Sequence, residues 1–430
     1  MPQQPADKEQ LFATKEETEQ LRRLARRYAE IAALDTQAQR RERMRDNNDL
    51  HPGRPPVLID EVPWHEMDID GKLQLRCVTP FAREMEWFFR RRLFAWEYFP
   101  ADMVMEDVYA LSKTVHSTGN GLEVDETVHV TDQKNTIVSH EYHDQLATDA
   151  DLERMHMPVI TTDEEWDARR LQAAQEILDG ILPVKLRGLY VYYAPWDQIP
   201  RYRGVEPILL DMVDRPEFLH RIIEKFTQEG LCLVDQYEKL GLLELDIPDL
   251  HCTPPYVSDL PAPDYQGGKP RAKDVWFRTM AQMFSTVSPA MQKEFDLDYS
   301  KRLYERFGLV YYGCCEPLDN KIALLKEMIP NLRKIGVSPW ANVQSSAEQM
   351  GKNYVYARKP NPANVAIQTD PEVIRAEISE TVEACEKYGC PYEFVLKDIS
   401  TVSYRPENLI VWERTVREVL DGYYGKRPGC

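Results

Sequence analysis

Residues 311–319 read Tyr311-Tyr312-Gly313-Cys314-Cys315-Glu316-Pro317-Leu318-Asp319 and follow the apolar run Phe307, Leu309 and Val310. An aromatic and β-branched run that stops at a glycine, two adjacent thiols and a carboxylate is typical of a buried strand that presents reactive side chains at its C-terminal end. Enzymes built on parallel barrels carry their chemistry at that end of the strands. The thiols therefore suggest a metal site or a nucleophile, and the alternative is a pair of small buried side chains that pack as alanine would.

The composition indicates a large globular protein with an acidic surface. With 430 residues, of which 43% are apolar, the chain has room for one barrel with extensions, which we favour over two ordinary domains. The 53 basic and 71 acidic residues give a net charge of -18, which disfavours binding to nucleic acid and to anionic membrane surfaces. Eight cysteines, no apolar signal segment and no apolar run long enough to span a bilayer predict a cytoplasmic protein without disulfides.

Residues 1–50 predict an N-terminal helical extension. Thr14-Lys15-Glu16-Glu17 forms a capping box, and apolar residues then recur at helical spacing. This apolar stripe consists of Leu21, Leu24, Tyr28, Ile31 and Leu34. A single narrow stripe predicts a helix that packs either on the rest of its own chain or on a second subunit, which would make a homodimer.

Residues 51–430 predict an α/β fold, a closed (β/α)8 TIM barrel, because apolar runs alternate with helical stretches along this part of the chain. The eight predicted strands cover residues 57–61, 103–109, 184–193, 242–247, 307–312, 332–338, 354–357 and 392–396. Residues 274–306, which include Trp276, are predicted to be helical. Alternating residues at about 115–160 predict an inserted β-hairpin. Its five histidines, His116, His129, His140, His143 and His156, are predicted to lie on the surface.

Such a barrel would bring several reactive side chains to one mouth, at the C-terminal ends of its strands. The candidates are Glu61, Asp107, Trp196, Asp249, His251, Cys314, Cys315, Glu316, Ser338, Trp340, Lys359 and Asp398. Thiolate, imidazole and carboxylate are ligands for Zn²⁺, and a catalytic zinc needs about three protein ligands and one open position. Adjacent strand residues point to opposite faces, so Cys314 and Cys315 share a site only if the strand bends, which Gly313 permits. Asp398 would complete the ligand set, with His251 as an alternative.

Short motifs are spread over roughly residues 55–425. They are Tyr202-Arg203-Gly204-Val205-Glu206, Leu210-Asp211-Met212, Asp214-Arg215-Pro216-Glu217, Tyr256-Val257-Ser258-Asp259-Leu260-Pro261, Val287-Ser288-Pro289-Ala290-Met291, the stretch from Tyr311 to Leu318, Val337-Ser338-Pro339-Trp340 and Arg358-Lys359-Pro360-Asn361-Pro362-Ala363. In combination these motifs resemble the uroporphyrinogen decarboxylase (URO-D) superfamily. Its members are (β/α)8 barrels and include corrinoid-dependent methyltransferases, so the resemblance implies this fold and two candidate reactions.

The resemblance to the decarboxylase itself extends to the fold and not to the substrate. The decarboxylase holds substrate carboxylates with arginines in the loop after its first strand, whereas the matching segment here, residues 62–70, is acidic and contains no arginine. A polycarboxylate would be repelled there. Asp107 matches a carboxylate near the decarboxylase site, and the resemblance implies a catalytic role for it.

The resemblance to the methyltransferases implies a zinc site. In those enzymes a His-x-Cys on the fifth strand and a second Cys after the last strand bind zinc. This chain has Tyr312-Gly313-Cys314 and Asp398 at these places, so Cys315, Glu316 or His251 would have to substitute for the missing ligands. The chain contains no recognisable cobalamin-binding module, which implies that a separate corrinoid protein docks at the barrel mouth.

We therefore predict a methyltransferase component that takes a methyl group from a small substrate, such as a methoxylated aromatic, and passes it to a protein-bound corrinoid with the help of zinc. The predicted metal ligands are Cys314, Cys315, Glu316 and Asp398, and the predicted catalytic residues are Asp107, Glu316 and Asp398. The predicted substrate pocket consists of Trp196, Tyr256, Asp259, Trp276, Trp340 and Lys359. The alternatives are a cofactor-free decarboxylase of a tetrapyrrole-like acid and a non-catalytic barrel that serves as a binding subunit.

Overall fold

The computed structural model describes residues 11–130, 132–135 and 137–425, which form a mixed α/β structure. The strands are β1 (Val57–Ile59), β2 (Tyr109–Ser112), β3 (Val115–Ser117), β4 (Glu126–His129), β5 (Ser139–Tyr142), β6 (Ile160–Thr162), β7 (Val184–Arg187), β8 (Val191–Tyr192), β9 (Trp276–Thr279), β10 (Leu309–Tyr312), β11 (Leu332–Val337), β12 (Val355–Arg358) and β13 (Tyr392–Leu396).

The α-helices are α1 (Lys15–Ala32), α2 (Asp35–Asn48), α3 (Pro80–Tyr98), α4 (Asp149–Glu153), α5 (Glu164–Leu178), α6 (Pro195–Gln198), α7 (Pro200–Arg203), α8 (Val205–Asp214), α9 (Pro216–Leu240), α10 (Pro289–Gln292), α11 (Asp298–Tyr304), α12 (Ile322–Met328), α13 (Val343–Met350), α14 (Ala363–Ala366), α15 (Pro371–Tyr388) and α16 (Glu407–Tyr424). Short 3₁₀ turns lie at Trp64–Glu66, Ala272–Asp274, Gln282–Thr286 and Gly351–Asn353, and a π-helical turn lies at Lys293–Leu297. None of the helices described is long and apolar enough to cross a membrane.

A curled parallel sheet organises the molecule. Its seven strands lie in the order β1-β13-β12-β11-β10-β9-β8, and β2 pairs in parallel with β7 in a separate two-stranded sheet. Because β7 and β8 follow each other along the chain, the two sheets are adjoining parts of one curved wall. The predicted α/β class with a parallel sheet is thus confirmed. Closure of this wall into an eight-stranded ring stays a prediction.

The predicted fourth strand is wrong. Within residues 242–247 only Leu243 forms a β-bridge, to Leu189. The place beside β8 is taken by β9, in a region that was predicted to be helical. Residues 276–279 read Trp-Phe-Arg-Thr, four β-prone residues that are all buried, and this run is too short for its period to stand out from the helical pattern that follows it.

The predicted insertion contains two antiparallel strand pairs. β3 pairs with β6 at its base, and β4 pairs with β5 in a hairpin whose strands are largely exposed. All five histidines of this segment are exposed, as predicted. The hairpin tip reaches the loop after β13, because the Asn135 side chain donates to the Ser400 carbonyl at 3.1 Å and the Tyr404 hydroxyl donates to Asp132 at 2.7 Å.

The N-terminal helix α1 packs on its own chain. Its capping box at Thr14 and Glu17 is confirmed. The buried side chains Leu21 and Tyr28 contact an apolar cluster that includes Phe89 of α3. Burial against the rest of the same chain is observed, and the homodimer stays a prediction.

Glu17 joins this helix to the segment before α3, and we expect Glu17→Gln to lower the free energy of unfolding. Its carboxylate accepts the backbone N–H groups of Thr14, Val78 and Thr79 at 2.7–2.9 Å. Burial alone would raise the pKa of Glu17, and the hydrogen bonds from Thr79, Thr14 and Val78 outweigh it and lower the pKa to about 2. Loss of the charge should cost about 2 kcal/mol at pH 7.

Urea unfolding at several pH values checks this prediction. A lowered pKa stabilises the fold above the unfolded pKa, so the difference between wild type and Glu17→Gln should shrink as the pH falls from about 4.5 towards about 2. The exposed neighbour Glu16, changed to Gln, is the matched control and should cost little. Equal stability of wild type and Glu17→Gln at pH 7 would contradict the assignment.

The two faces of the parallel sheet differ in polarity. The outer face carries apolar side chains such as Phe277 and Tyr356, which pack against helix residues including Ile378 and Trp412. The inner face carries buried charged side chains instead, namely Arg278, Lys334, Lys359, Glu393 and Lys397. Within this group Lys334 and Glu393 form an ion pair at 2.9 Å. The remaining cations lie towards the C-terminal ends of the strands.

Candidate functional site

The adjacent cysteines lie at the C-terminal end of β10, and the strand bends there. Gly313 has φ +91°, and a Cβ at this position would collide with the Leu318 side chain. Only glycine adopts this backbone without strain. The bend lets both sulfurs reach the same place, with the Sγ atoms of Cys314 and Cys315 3.6 Å apart.

Asp398, which follows β13, meets the two thiols. Cys315 Sγ donates to Asp398 Oδ2 at 2.9 Å, and the ligand atoms of Cys314, Cys315 and Asp398 all lie within 4.8 Å of one another. The structure therefore brings together three of the four side chains that were predicted as metal ligands. We call these three residues, together with His251, the thiol cluster.

His251 reaches the same cluster from the loop after Ile247. Its Nε2 lies 3.7 Å from Cys314 Sγ, and its ring stacks on Tyr192 with centroids 5.5 Å apart. A second group of ligand atoms, from Glu61, His251 and Cys252, lies within 4.8 Å. The two groups adjoin each other through His251.

The backbone around the thiol cluster is strained. Glu61, His251, Cys252 and Asp398 all have positive φ, between 49° and 72°. For a residue other than glycine this conformation costs on the order of 1–3 kcal/mol and persists only where the surrounding structure enforces it. Several strained residues from three different loops meet at one place, which is a pattern typical of functional sites.

Lys397, which the sequence analysis did not select, lies in the middle of the cluster. Its Nζ is 3.1 Å from Cys314 Sγ and 3.3 Å from His251 Nε2. It also forms ion pairs with Glu61 at 3.4 Å and with Asp398 at 3.3 Å. The alternation of β13 could have identified it, because Glu393, Val395 and Lys397 share the inner face.

The charges of the cluster favour a thiolate on Cys314. The neighbouring Cys315 thiol lowers the pKa of Cys314 far below its usual range, against the effect of burial, and His251, Arg278 and Lys397 add to the shift. The contact with Cys314 and burial raise the pKa of Cys315. Burial would lower the pKa of Lys397, but Cys314 and the nearby acids raise it above its ordinary value. These shifts favour a thiolate on Cys314 beside an ammonium on Lys397.

Glu316 does not join the cluster. Its buried carboxylate accepts the backbone N–H of Cys314 at 2.9 Å and faces the N–H of Ala281. Burial and the Cys314 charge raise the pKa of Glu316 to about 7. Glu316 therefore holds the backbone of the cysteine turn. It was predicted to be a metal ligand, but it does not lie with Cys314, Cys315 and Asp398.

Arg278 holds the other side of the same turn, and the sequence analysis missed it too. Its side chain is 0% exposed, and it donates to the carbonyls of Thr279 at 2.6 Å and Gly313 at 2.8 Å. The guanidinium also lies 4.0 Å from the ring centre of Tyr311. The sequence concealed this role because β9 was predicted to be helical.

Asp107 lies away from the thiol cluster. The predicted second strand at 103–109 is in fact β2, which begins at Tyr109, so the exposed Asp107 precedes the strand. It therefore lies before the N-terminal end of β2 and not at the C-terminal end of a strand, where it was predicted. The position expected from the decarboxylase resemblance is not the one observed.

The predicted pocket residues are scattered. Trp196 is buried in the apolar core, where its indole donates to the Phe295 carbonyl at 3.0 Å. Trp276 donates to the Pro255 carbonyl at 2.9 Å. Tyr256 packs in an apolar cluster next to Cys252, and the exposed Asp259 pairs with Arg333.

Two predicted pocket residues lie near the C-terminal ends of the strands. Lys359 donates to the Tyr311 hydroxyl at 2.7 Å from a buried position. Trp340 follows β11 and is 69% exposed.

Two cavities share Pro248 and Asp249 in their walls. One, of about 400 Å³, lies along β2 and includes Arg187 and Tyr190. The other, of about 310 Å³, lies between the end of β1 and α3 and includes Cys252. Cys252 follows His251 in the chain, and its ligand atom lies within 4.8 Å of that of His251.

Comparison with known proteins gives little beyond this geometry. No protein-family model matches the chain, and no curated protein matches it in sequence. Among solved structures, a methyltransferase from Methanosarcina mazei is similar at a TM-score of 0.48 and 12% identity, over 90% of this chain and 99% of that chain.

Proposed function

We propose that the chain is a methyltransferase component that uses zinc to take a methyl group from a small oxygen-bound donor and passes it to a corrinoid carried by a separate protein. The observation that carries the proposal is the convergence of Cys314, Cys315 and Asp398 within 4.8 Å at the C-terminal ends of parallel strands. Reactive groups gathered at this end are the usual arrangement in parallel α/β enzymes.

The donor set fits zinc. Two thiols and a carboxylate supply three ligands of the kinds that zinc prefers, and three protein ligands leave a position open for a substrate. A hard cation such as Mg²⁺ would prefer oxygen ligands alone. His251, 3.7 Å from Cys314 Sγ, is the fourth side chain of the same chemistry within reach.

Zinc bound here would act as a Lewis acid on the donor oxygen. With both groups present, the carbon–oxygen bond would break with its electron pair on the oxygen, the reduced corrinoid would supply a new pair to the methyl carbon, and the oxygen would take a proton from solvent. Lys397 keeps its positive charge beside the site and stabilises the negative charge that develops on the oxygen. Glu61 orients both the ammonium of Lys397 and the backbone N–H of Asp398.

The surface around the cluster suits a docking corrinoid protein. Glu61 and Asp398 are exposed, and Cys315 is half-buried. Trp340 adds an exposed aromatic side chain on the same side of the sheet. A second protein can thus approach a site of which only Cys314 is fully covered.

A methyl-transfer assay tests the proposal. The purified protein, loaded with zinc, is incubated with methoxylated aromatic donors and free reduced cobalamin, and methylcobalamin is followed by its absorbance. We expect transfer that stops on chelation and returns when zinc is restored. Transfer that continues at the same rate after complete removal of metal would contradict the proposed role of zinc.

A further inference from the structure

We propose that the cavity between β1 and α3 binds an aromatic carboxylate, which Arg91 and Arg92 hold by its anionic end. The cavity measures about 310 Å³. The identity of this ligand as the methyl donor or its demethylated product rests on the proposed function. The binding site does not, because the residues of the cavity wall define it.

The two arginines lack an acidic partner. Within the described residues, no Asp or Glu oxygen lies within 4.0 Å of a nitrogen of Arg91 or Arg92. Arg91 Nε is buried and makes no hydrogen bond. Each guanidinium has five N–H donors in a planar fork that matches a carboxylate, so two unpaired guanidinium groups in one cavity wall favour an anionic ligand.

Aromatic rings do not satisfy these arginines. Arg91 lies 5.1 Å from the ring centre of Trp87 and 5.9 Å from that of Trp64, and Arg92 lies 5.9 Å from that of Phe88. In such contacts each guanidinium lies over the face of an aromatic ring. The ring attracts the positive charge, but it does not supply the oxygen acceptors that the N–H groups of the guanidinium can bind. The guanidinium groups are thus held in position, with hydrogen-bonding capacity left for a ligand.

The cavity wall also contains two acids, Asp60 and Asp249. Asp60 accepts the backbone N–H of Glu61 at 2.7 Å. Within the described residues neither acid forms an ion pair with Arg91 or Arg92 within 4.0 Å, so the guanidinium donors stay available to the carboxylate of a ligand.

The remaining walls determine the shape of the ligand. Trp64, Phe88 and Phe99 line the cavity and provide flat apolar surfaces for a ring. The cavity wall also includes Cys252, whose ligand atom lies within 4.8 Å of those of Glu61 and His251.

Calorimetric titration with benzoate tests the site. We use metal-free full-length protein carrying Cys314→Ser, so that binding does not depend on zinc or on methyl transfer. We expect benzoate to bind and the isosteric neutral amide, benzamide, to bind at least about tenfold more weakly. Arg91→Gln and Arg92→Gln should each weaken benzoate binding by about tenfold or more, and Arg91→Lys by less, because it keeps the charge.

Arg26→Gln, an exposed arginine on α1, is the matched control and should leave benzoate binding unchanged. The inference is overturned if benzoate fails to bind folded protein, if benzamide binds equally well, or if both arginine variants retain wild-type affinity. Equal binding of cyclohexanecarboxylate would overturn the aromatic part. Because the assay contains no metal and no methyl acceptor, benzoate binding can succeed where methyl transfer fails, and the reverse.

Discussion

Replacing Cys314 with serine is expected to abolish high-affinity zinc binding and, with it, methyl transfer. Cys314 is 1% exposed and lies at the centre of the thiol cluster, 3.6 Å from Cys315 Sγ and 3.7 Å from His251 Nε2. A serine hydroxyl stays protonated at neutral pH and is a poor zinc ligand. Since changes to residues that merely support ligands weaken metal binding by about 10- to 100-fold, loss of a direct ligand should weaken it by more.

Competition with a chromogenic chelator measures this change, and circular dichroism confirms that the variant folds. Cys390→Ser is the matched control, because Cys390 is equally buried, donates to the Ala347 carbonyl at 3.3 Å and does not belong to the thiol cluster. We expect this control to keep full zinc affinity. Equal zinc affinity in Cys314→Ser and the wild type would show that the cluster is not the metal site.

The second large effect is expected from Lys397→Met. The methionine keeps much of the apolar stem but removes the ammonium that lies 3.1 Å from Cys314 Sγ and within ion-pair distance of Glu61 and Asp398. The Cys314 thiolate would lose its nearest cation, so its pKa should rise by about one unit or more. Methyl transfer should slow by about a hundredfold, as when one stabilising donor is removed from a preorganised site.

The pH dependence of alkylation by iodoacetamide, read at Cys314 by mass spectrometry in metal-free protein, measures the first effect. We expect the midpoint to move to higher pH in Lys397→Met and to return most of the way in Lys397→Arg, which restores the charge. The exposed Lys352, changed to Met, serves as the control. An unchanged midpoint would exclude Lys397 as the group that stabilises the thiolate.

The sequence predicted strands well where apolar runs were long or bounded by turn residues. β10, β11, β12 and β13 lie within two residues of their predicted positions. β9 was missed because four residues are too few to distinguish a strand from the start of a helix. The second strand begins at Tyr109, where it was predicted to end. Asp107 therefore precedes the strand and does not lie at its C-terminal end, as was predicted.

The sequence predicted three of the candidate metal ligands and missed the charged residues that hold them in place. Cys314, Cys315 and Asp398 could be selected because thiols and acids at strand ends have an obvious chemistry. Arg278 and Lys397 were not selected, because a charged residue in or next to a strand looks like a solvent-exposed one until the inner face is known to be polar. Glu316 was selected as a ligand but does not lie in the cluster, because its carboxylate accepts the backbone N–H of Cys314 instead.

We propose that Cys314, Cys315 and Asp398 hold one zinc ion, and zinc K-edge X-ray absorption of the purified full-length protein measures this coordination. We expect about one zinc per chain with two sulfur neighbours at about 2.3 Å, and one sulfur neighbour in residual zinc bound to Cys315→Ser. A first shell made only of nitrogen and oxygen, or a zinc-supplemented protein without zinc, would contradict it.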